Sequence, residues 1–144
     1  MIHLQLVTLT GIKFDDDVAE VILPTLDGQI GVLTDHMPLI TVATAGIISV
    51  RRNPKDFDSQ MDNFATYGGV IEVSNNVLRV LVDEADNGDE INVAESQKAY
   101  DLAQKMKAEA KDQSSLENAQ KLIDRQSVRI KVAELHRHRR SRQG

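Results

Sequence analysis

Seven basic side chains crowd the last 21 residues: Arg125, Arg129, Lys131, Arg137, Arg139, Arg140 and Arg142, against only Asp124 and Glu134. The segment carries 7 − 2 = +5 before His136 and His138 are counted. Guanidinium and ammonium groups at this density bind acidic surfaces or phosphates, and they supply no nucleophile. A solvated, frayed terminus would have the same composition. The carboxylates lie elsewhere. Residues 1–90 hold 15 Asp and Glu against 5 Lys and Arg, a net of 5 − 15 = −10, and residues 91–123 hold 5 of each. Ends of opposite sign suit different partners.

Residue types for covalent catalysis are scarce. The chain has no Cys, which removes thiol nucleophiles, thiolate metal sites and disulfides together, and suits a reducing compartment. His36 lies in Asp35-His36-Met37-Pro38, a loop stiffened by proline, with no nucleophile or orienting carboxylate patterned around it. It reads as a loop-structuring residue before a catalytic one, while exposed Met37 offers a contact surface. No phosphate loop or cluster of metal ligands appears, so no catalytic residue, metal or cofactor is expected. The chemistry open to this chain is binding.

The elements that must position these groups fall into two parts. With 41% apolar residues but only two Tyr, three Phe and no Trp, a core must be built from Val, Ile, Leu and Ala. Residues 2–9 alternate imperfectly as a half-buried strand does, and they lack the basic flank of a signal peptide. No apolar run nears the roughly 18 residues of a membrane span. An acidic turn at residues 15–17 leads into a strand over 18–23 that should stop at Pro24. Asp27-Gly28 turns into a strand at 30–33, and further strands follow at 46–50, 63–67, 70–73 and 77–82. Asn75-Asn76 suits a hairpin turn, and Gly68-Gly69 a bulge or close backbone approach. Short strands with frequent turns indicate an antiparallel sandwich or barrel over residues 1–86.

The period changes after Asp89. Asn92, with Glu95 at the reciprocal capping position, opens a helix over about 93–111 with Ala94, Ala99, Leu102, Ala103, Met106 and Ala110 near one face. Ser114 and Glu117 form a capping box for a second helix over about 115–137, with Leu116, Ala119, Leu122, Ile123, Ile130 and Ala133 apolar. The short link makes residues 87–144 an antiparallel hairpin. Its alanine-rich stripe, interrupted by Gln126-Ser127, either packs as an ordinary hairpin or can open.

The stretch LPTLDGQIGVLTDHMPLIT, residues 23–41, together with Gly46, resembles the epsilon subunit of bacterial F-type ATP synthases. So does FATYGGVIEVSNNVLRVLVDEA over residues 64–85, and Val132-Ala133-Glu134-Leu135 resembles that family's helical hairpin. The resemblance implies an all-β antiparallel sandwich of about ten short strands, followed by the two-helix hairpin. It implies a non-catalytic central-stalk subunit, peripheral on the cytoplasmic face of a bacterial membrane, that couples rotation to proton flow. Its partners would be the gamma subunit and the c-ring, contacted through Asp27, Gly28, Gln29, Asp35, His36, Met37 and Pro38. The family often carries an acidic residue where Gln29 stands, which leaves Asp27 and Asp35 for an ion pair. The hairpin would be regulatory, folding against the sandwich or extending toward the alpha/beta catalytic head to block hydrolysis with the basic tip named above.

Some family members bind ATP in the folded hairpin. Arg125 and Arg129 match their second-helix arginines, but Asn92 and Glu95 stand where those members have Asp and Arg. A carboxylate there repels phosphate, so weak or absent ATP binding is expected. The alternative function is a free-standing adaptor whose basic tail grips an acidic partner or nucleic acid. An acidic head with few aromatics argues against nucleic acid.

Overall fold

Eight strands and two helices follow one another in the computed structural model, which describes residues 1–143 and the side chains of residues 1–138. In β1 (Ile2–Thr8), Ile2, Leu4 and Leu6 are fully buried and the intervening side chains are only partly covered. That is the period of two of a strand with one face in a core. β2 (Gly11–Val18) lies antiparallel to β1 at one end of the sheet. β3 (Glu20–Thr25) and β4 (Gly28–Leu33) form a hairpin at the other end. β5 (Leu39–Arg51) and β6 (Asp62–Ser74) are 13 residues each and belong to both layers.

The first half of β5 pairs with the second half of β6, which leads outward to β7 (Val77–Val82), β1 and β2. The second half of β5 pairs with the first half of β6, flanked by β3 and β4 on one side and by β8 (Ala85–Asn87) on the other. Ile2, Leu4, Leu6, Val21, Leu23, Ile48, Val50, Ile71 and Val73 from both halves meet in one core, closing a β-sandwich. All pairings are antiparallel except β1 with β7.

Several expectations need correction. The strands number eight, not about ten, because segments expected to be separate fuse: 63–67 and 70–73 are one strand, and 46–50 is the end of another. The fusion passes through Gly68-Gly69 without a break in the β5 register, so the pair marks a close approach and not a bulge. Gly68 takes φ +124°, and a Cβ on Gly69 would lie 2.2 Å from the Leu81 carbonyl oxygen. β3 continues through Pro24, because its register with β5 shifts between Ile22 and Thr25 and the missing N–H interrupts no ladder. Gly46 provides the space: a Cβ there would stand 2.7 Å from that of Pro24. β8 spans residues 86 and 87, at the boundary expected between head and hairpin.

The acidic turn is instead part of strand β2, and His3 explains it. Its Nδ1 lies 2.8 Å from Asp17, directly opposite in the ladder, and its Nε2 2.6 Å from Asp15, two residues back along β2. The hydrogen bond to Asp17, then that to Asp15, raises the His3 pKa above its ordinary value. A raised pKa contributes stability that is complete below the unfolded value near 6.5. That contribution disappears as pH climbs through the folded value. Stability should therefore fall in wild type as pH rises above the unfolded value, and His3→Gln should flatten that part of the profile in urea titrations at successive pH values.

α1 (Val93–Glu109) begins as expected at Asn92, whose Oδ1 accepts the Glu95 backbone N–H at 3.1 Å. The reciprocal side-chain bond occurs one turn earlier, between Glu90 and the Asn87 amide. α2 (Gln113–Gln143) starts sooner and runs further than expected. Asp112, not Ser114, caps it, accepting the Ser115 N–H at 2.7 Å. A carboxylate at a helix N-terminus also meets the positive end of the dipole, which favours it over a hydroxyl.

Candidate functional site

The contact residues expected on the head lie on two exposed loops. In the β3–β4 turn, Thr25 Oγ1 accepts the Asp27 N–H at 3.2 Å and donates to the Gly28 carbonyl at 2.6 Å. Gly28 takes φ +107°, which glycine adopts without penalty. Asp27, Gly28 and Gln29 are exposed. The second loop begins after β4. Asp35 adopts φ +58°, and its amide donates to Asn76 Oδ1 at 2.8 Å, while Asn76 Nδ2 donates to the Met1 carbonyl at 2.9 Å. His36 Nδ1 donates to the Met37 carbonyl at 2.7 Å, which makes His36 a loop former and leaves Met37 73% exposed beside Pro38. The two loops are not brought together. They flank opposite ends of β4, separated by about 17 Å of strand.

The basic tip also divides. Arg129 Nη1 donates to Asp86 Oδ2 at 2.6 Å and to Tyr67 Oη at 3.0 Å. Tyr67 in turn is 3.4 Å from Asp86. Burial pushes the Tyr67 phenol above its ordinary pKa, with the Arg129 hydrogen bond acting the other way, so it is a neutral donor to Asp86. One helical turn earlier, Arg125 Nη2 donates to Glu84 Oε2 at 2.6 Å, and its guanidinium lies 4.2 Å from the Tyr67 ring centroid. Lys131 and Arg137 are exposed and make no ion pair among the described residues. The side chains of Arg139, Arg140 and Arg142 lie outside the described residues.

These contacts hold α2 against the outer face of the β5–β6–β8 half. Beneath the arginines, Val132 and Ala133 pack on Ala65 and Ile91, with Ile47, Tyr67 and Val128 at the margin. Further along, His136 sits on Gly88 so closely that a Cβ on Gly88 would be 2.0 Å from that of His136. Arg125 and Arg129 share one face of α2, and in this packing both meet carboxylates of the head. Their partners Tyr67, Glu84 and Asp86 have no sequence signal, and neither has Gly88 under His136. Within the hairpin, Ser96 and Ala103 of α1 and Ala119 and Ile123 of α2 are buried, whereas Leu102 and Met106 stay exposed. Three of these four buried residues are small.

The outer face of the other half is bare. The registers place Val42 opposite Val70, Val70 opposite Leu81, Leu81 opposite Val7 and Val7 opposite Ile12. This apolar row crosses five strands, and four of its five residues are exposed by 44% or more. The next row is polar at Glu72, Arg79, Gln5 and Asp15 and ends in exposed Ile40 on β5. A contiguous exposed apolar row marks an interaction surface. Its sequence signal is broken alternation: Leu6-Val7, Val70-Ile71 and Val80-Leu81-Val82 are apolar on both faces. Among the described residues no group of three or more His, Cys, Asp or Glu is placed to hold a metal ion.

Comparison with known proteins gives this geometry relatives. The family model described as "ATP synthase, Delta/Epsilon chain, beta-sandwich domain" matches residues 1–88. The ATP synthase epsilon chain of Rippkaea orientalis is 33% identical over 141 residues, covering 98% of this chain and 93% of that one. The epsilon chain of Gloeobacter violaceus is 33% identical over 132 residues, 92% of this chain and 96% of its own. The chloroplastic one of Staurastrum punctulatum is 33% identical over 131 residues, 91% of each. Among solved structures, a chain of the Euglena gracilis mitochondrial ATP synthase (OSCP/F1/c-ring) superposes with a TM-score of 0.79. It is 21% identical, covering 92% of this chain and 81% of that one. A chain of the Tetrahymena thermophila mitochondrial ATP synthase central stalk and c-ring gives 0.60 at 13% identity, covering 91% and 95%.

Proposed function

Because this chain belongs to the ATP synthase delta/epsilon family and aligns with epsilon chains over nearly its whole length, we propose that it works as a non-catalytic rotary-stalk subunit. In this reading it couples rotation at the c-ring to the catalytic head and restrains ATP hydrolysis through its hairpin. The observation that carries it is the division of labour between two outer sheet faces. One is bare and apolar, along Val42, Val70, Leu81, Val7 and Ile12, and suits permanent burial against the gamma subunit. The other is covered by a hairpin fastened through a small apolar patch and two arginine contacts, which suits release.

The loops at residues 27–29 and 35–38 are the c-ring or gamma contacts. Lys131, Arg137 and the arginines beyond them meet an acidic surface on the alpha/beta head when the hairpin extends. Association with the membrane, on its cytoplasmic face, runs through the complex. Among the described residues no helix is long and apolar enough to cross a membrane.

The test is reconstitution into an ATP synthase stripped of its own epsilon-type subunit. Full chain and a version ending at residue 88 should both bind, since the sandwich core draws on residues up to Ala85. Only the full chain should lower hydrolysis. If neither binds, the assignment is wrong; if both inhibit equally, the hairpin is not the inhibitor. ATP itself should not hold the hairpin down. Arg125 and Arg129 are already matched by Glu84 and Asp86, and Glu95 would repel phosphate. Calorimetric titration of the isolated chain should show no binding below millimolar ATP, and a submillimolar isotherm would contradict this.

A further inference from the structure

β4 is an end strand, paired with β3 on one side and, among the described residues, with nothing on the other. The other end strand, β2, is guarded twice. Asp15, Asp16 and Asp17 charge its edge, and a register shift between Leu6 and Val7 breaks its ladder. Both devices discourage a further strand from adding. β4 has neither. Its six residues contain no charge and no proline. Gly31, in its middle, faces open space, where an added Cβ would meet only a Glu20 carboxylate oxygen at 3.9 Å. A row of outward N–H and C=O groups on such an edge is a template for an incoming strand.

Charge selects the occupant. Asp27 precedes the strand by one residue and Asp35 follows it by two, and both are exposed. The Asp35 backbone is held in place by its bond to Asn76. The edge is thus bracketed by carboxylates over about 20 Å. A second copy of this chain is a poor occupant. Antiparallel pairing of β4 with itself would set Asp27 of one chain against Asp35 of the other, and like charges opposite each other destabilise a sheet. We propose that the β4 edge accepts an extended segment of a partner protein as an added strand, one rich in β-branched residues with a basic residue near each end. Leu26 and Leu33, both exposed, give that segment apolar contact at the two ends. The inference rests on the sheet geometry and shares Asp27 and Asp35 with the contact loops of the stalk reading.

Its test uses the full chain in solution and a capped heptapeptide of alternating valine and threonine with a lysine at each end. Amide shifts and slowed exchange should be confined to residues 28–33. The same peptide with glutamate at both ends should bind about tenfold more weakly at low salt. Asp27→Asn with Asp35→Asn should abolish that difference, and asparagine suits both turn conformations. Equal binding of the two peptides, shifts spread beyond β4, no response at millimolar peptide, or dimerisation through β4 would each overturn the proposal.

Discussion

Gly88→Ala is expected to lift the later turns of α2 off the sandwich while leaving the sandwich intact. Gly88 is buried under His136, and a Cβ there would stand 2.0 Å from His136 Cβ and 2.5 Å from its Cγ. The clash is with atoms next to the α2 backbone, so a rotamer change does not relieve it and the helix must move. Gly88 does not use a left-handed φ, which leaves the Asn87 cap and the local turn compatible with alanine. Overpacking of this kind costs about 1–3 kcal/mol, or roughly 5- to 150-fold in the ratio of docked to undocked hairpin. Amide exchange over residues 125–136 should accelerate by that factor while exchange in β1 and β7 is unchanged. Adding His136→Ala should not rescue docking, because the offending Cβ remains. Unchanged exchange in α2 would show that the close approach does not govern docking.

Arg129→Ala should be the next most damaging change at the same joint. It strips Asp86 of its charged partner where the carboxylate is only 24% exposed and leaves Tyr67 as its one remaining side-chain donor among the described residues. A lost hydrogen bond to a charged group of this kind amounts to about 1.5–3 kcal/mol, with the lower half favoured by the remaining solvent contact. Arg129→Lys should recover little, since a single ammonium cannot span the phenol and the carboxylate as the guanidinium fork does. Arg125→Ala should cost less, about 0.5–1 kcal/mol, because its partner Glu84 is 47% exposed and the stacking on Tyr67 is at the surface. The ordering is the claim. It is measured by α2 amide exchange in the three variants at matched ionic strength, and a larger effect from Arg125 than from Arg129 would reverse the roles assigned to them.

The two-part architecture was legible because its signals are local. Asn75-Asn76 takes φ 51° and 60° as a tight hairpin requires, and Asn92 caps α1 as its position implies. The errors arose where a distant residue settles the local conformation. Asp15, Asp16 and Asp17 look like a turn until His3 is seen across the ladder, and Pro24 looks like a stop until Gly46 is seen beneath it. The same holds for the candidate site. The charges of Arg125 and Arg129 stand out in the sequence, but Glu84, Asp86 and Tyr67, some 41 to 62 residues away, decide what those charges do. The apolar row from Val42 to Ile12 exists only once five strands are in register.

The parallel pairing of β1 with β7 bears on how this chain is made. Met1 is tied to Asn76, 75 residues on, and His3 pairs with Val77. Ile2, Leu4 and Leu6 pair early with β2 but lack their second neighbouring strand until most of the sandwich has been synthesised. High sequence separation of this kind slows folding and leaves apolar strands uncovered meanwhile. The helical hairpin comes after, built from contacts that close within a few turns, and it docks onto a surface already complete. On the ribosome the first strand emerges early and is committed late. Chaperone dependence should accordingly track β7, rising in variants that weaken Val77–Val82 and remaining indifferent to those in α1.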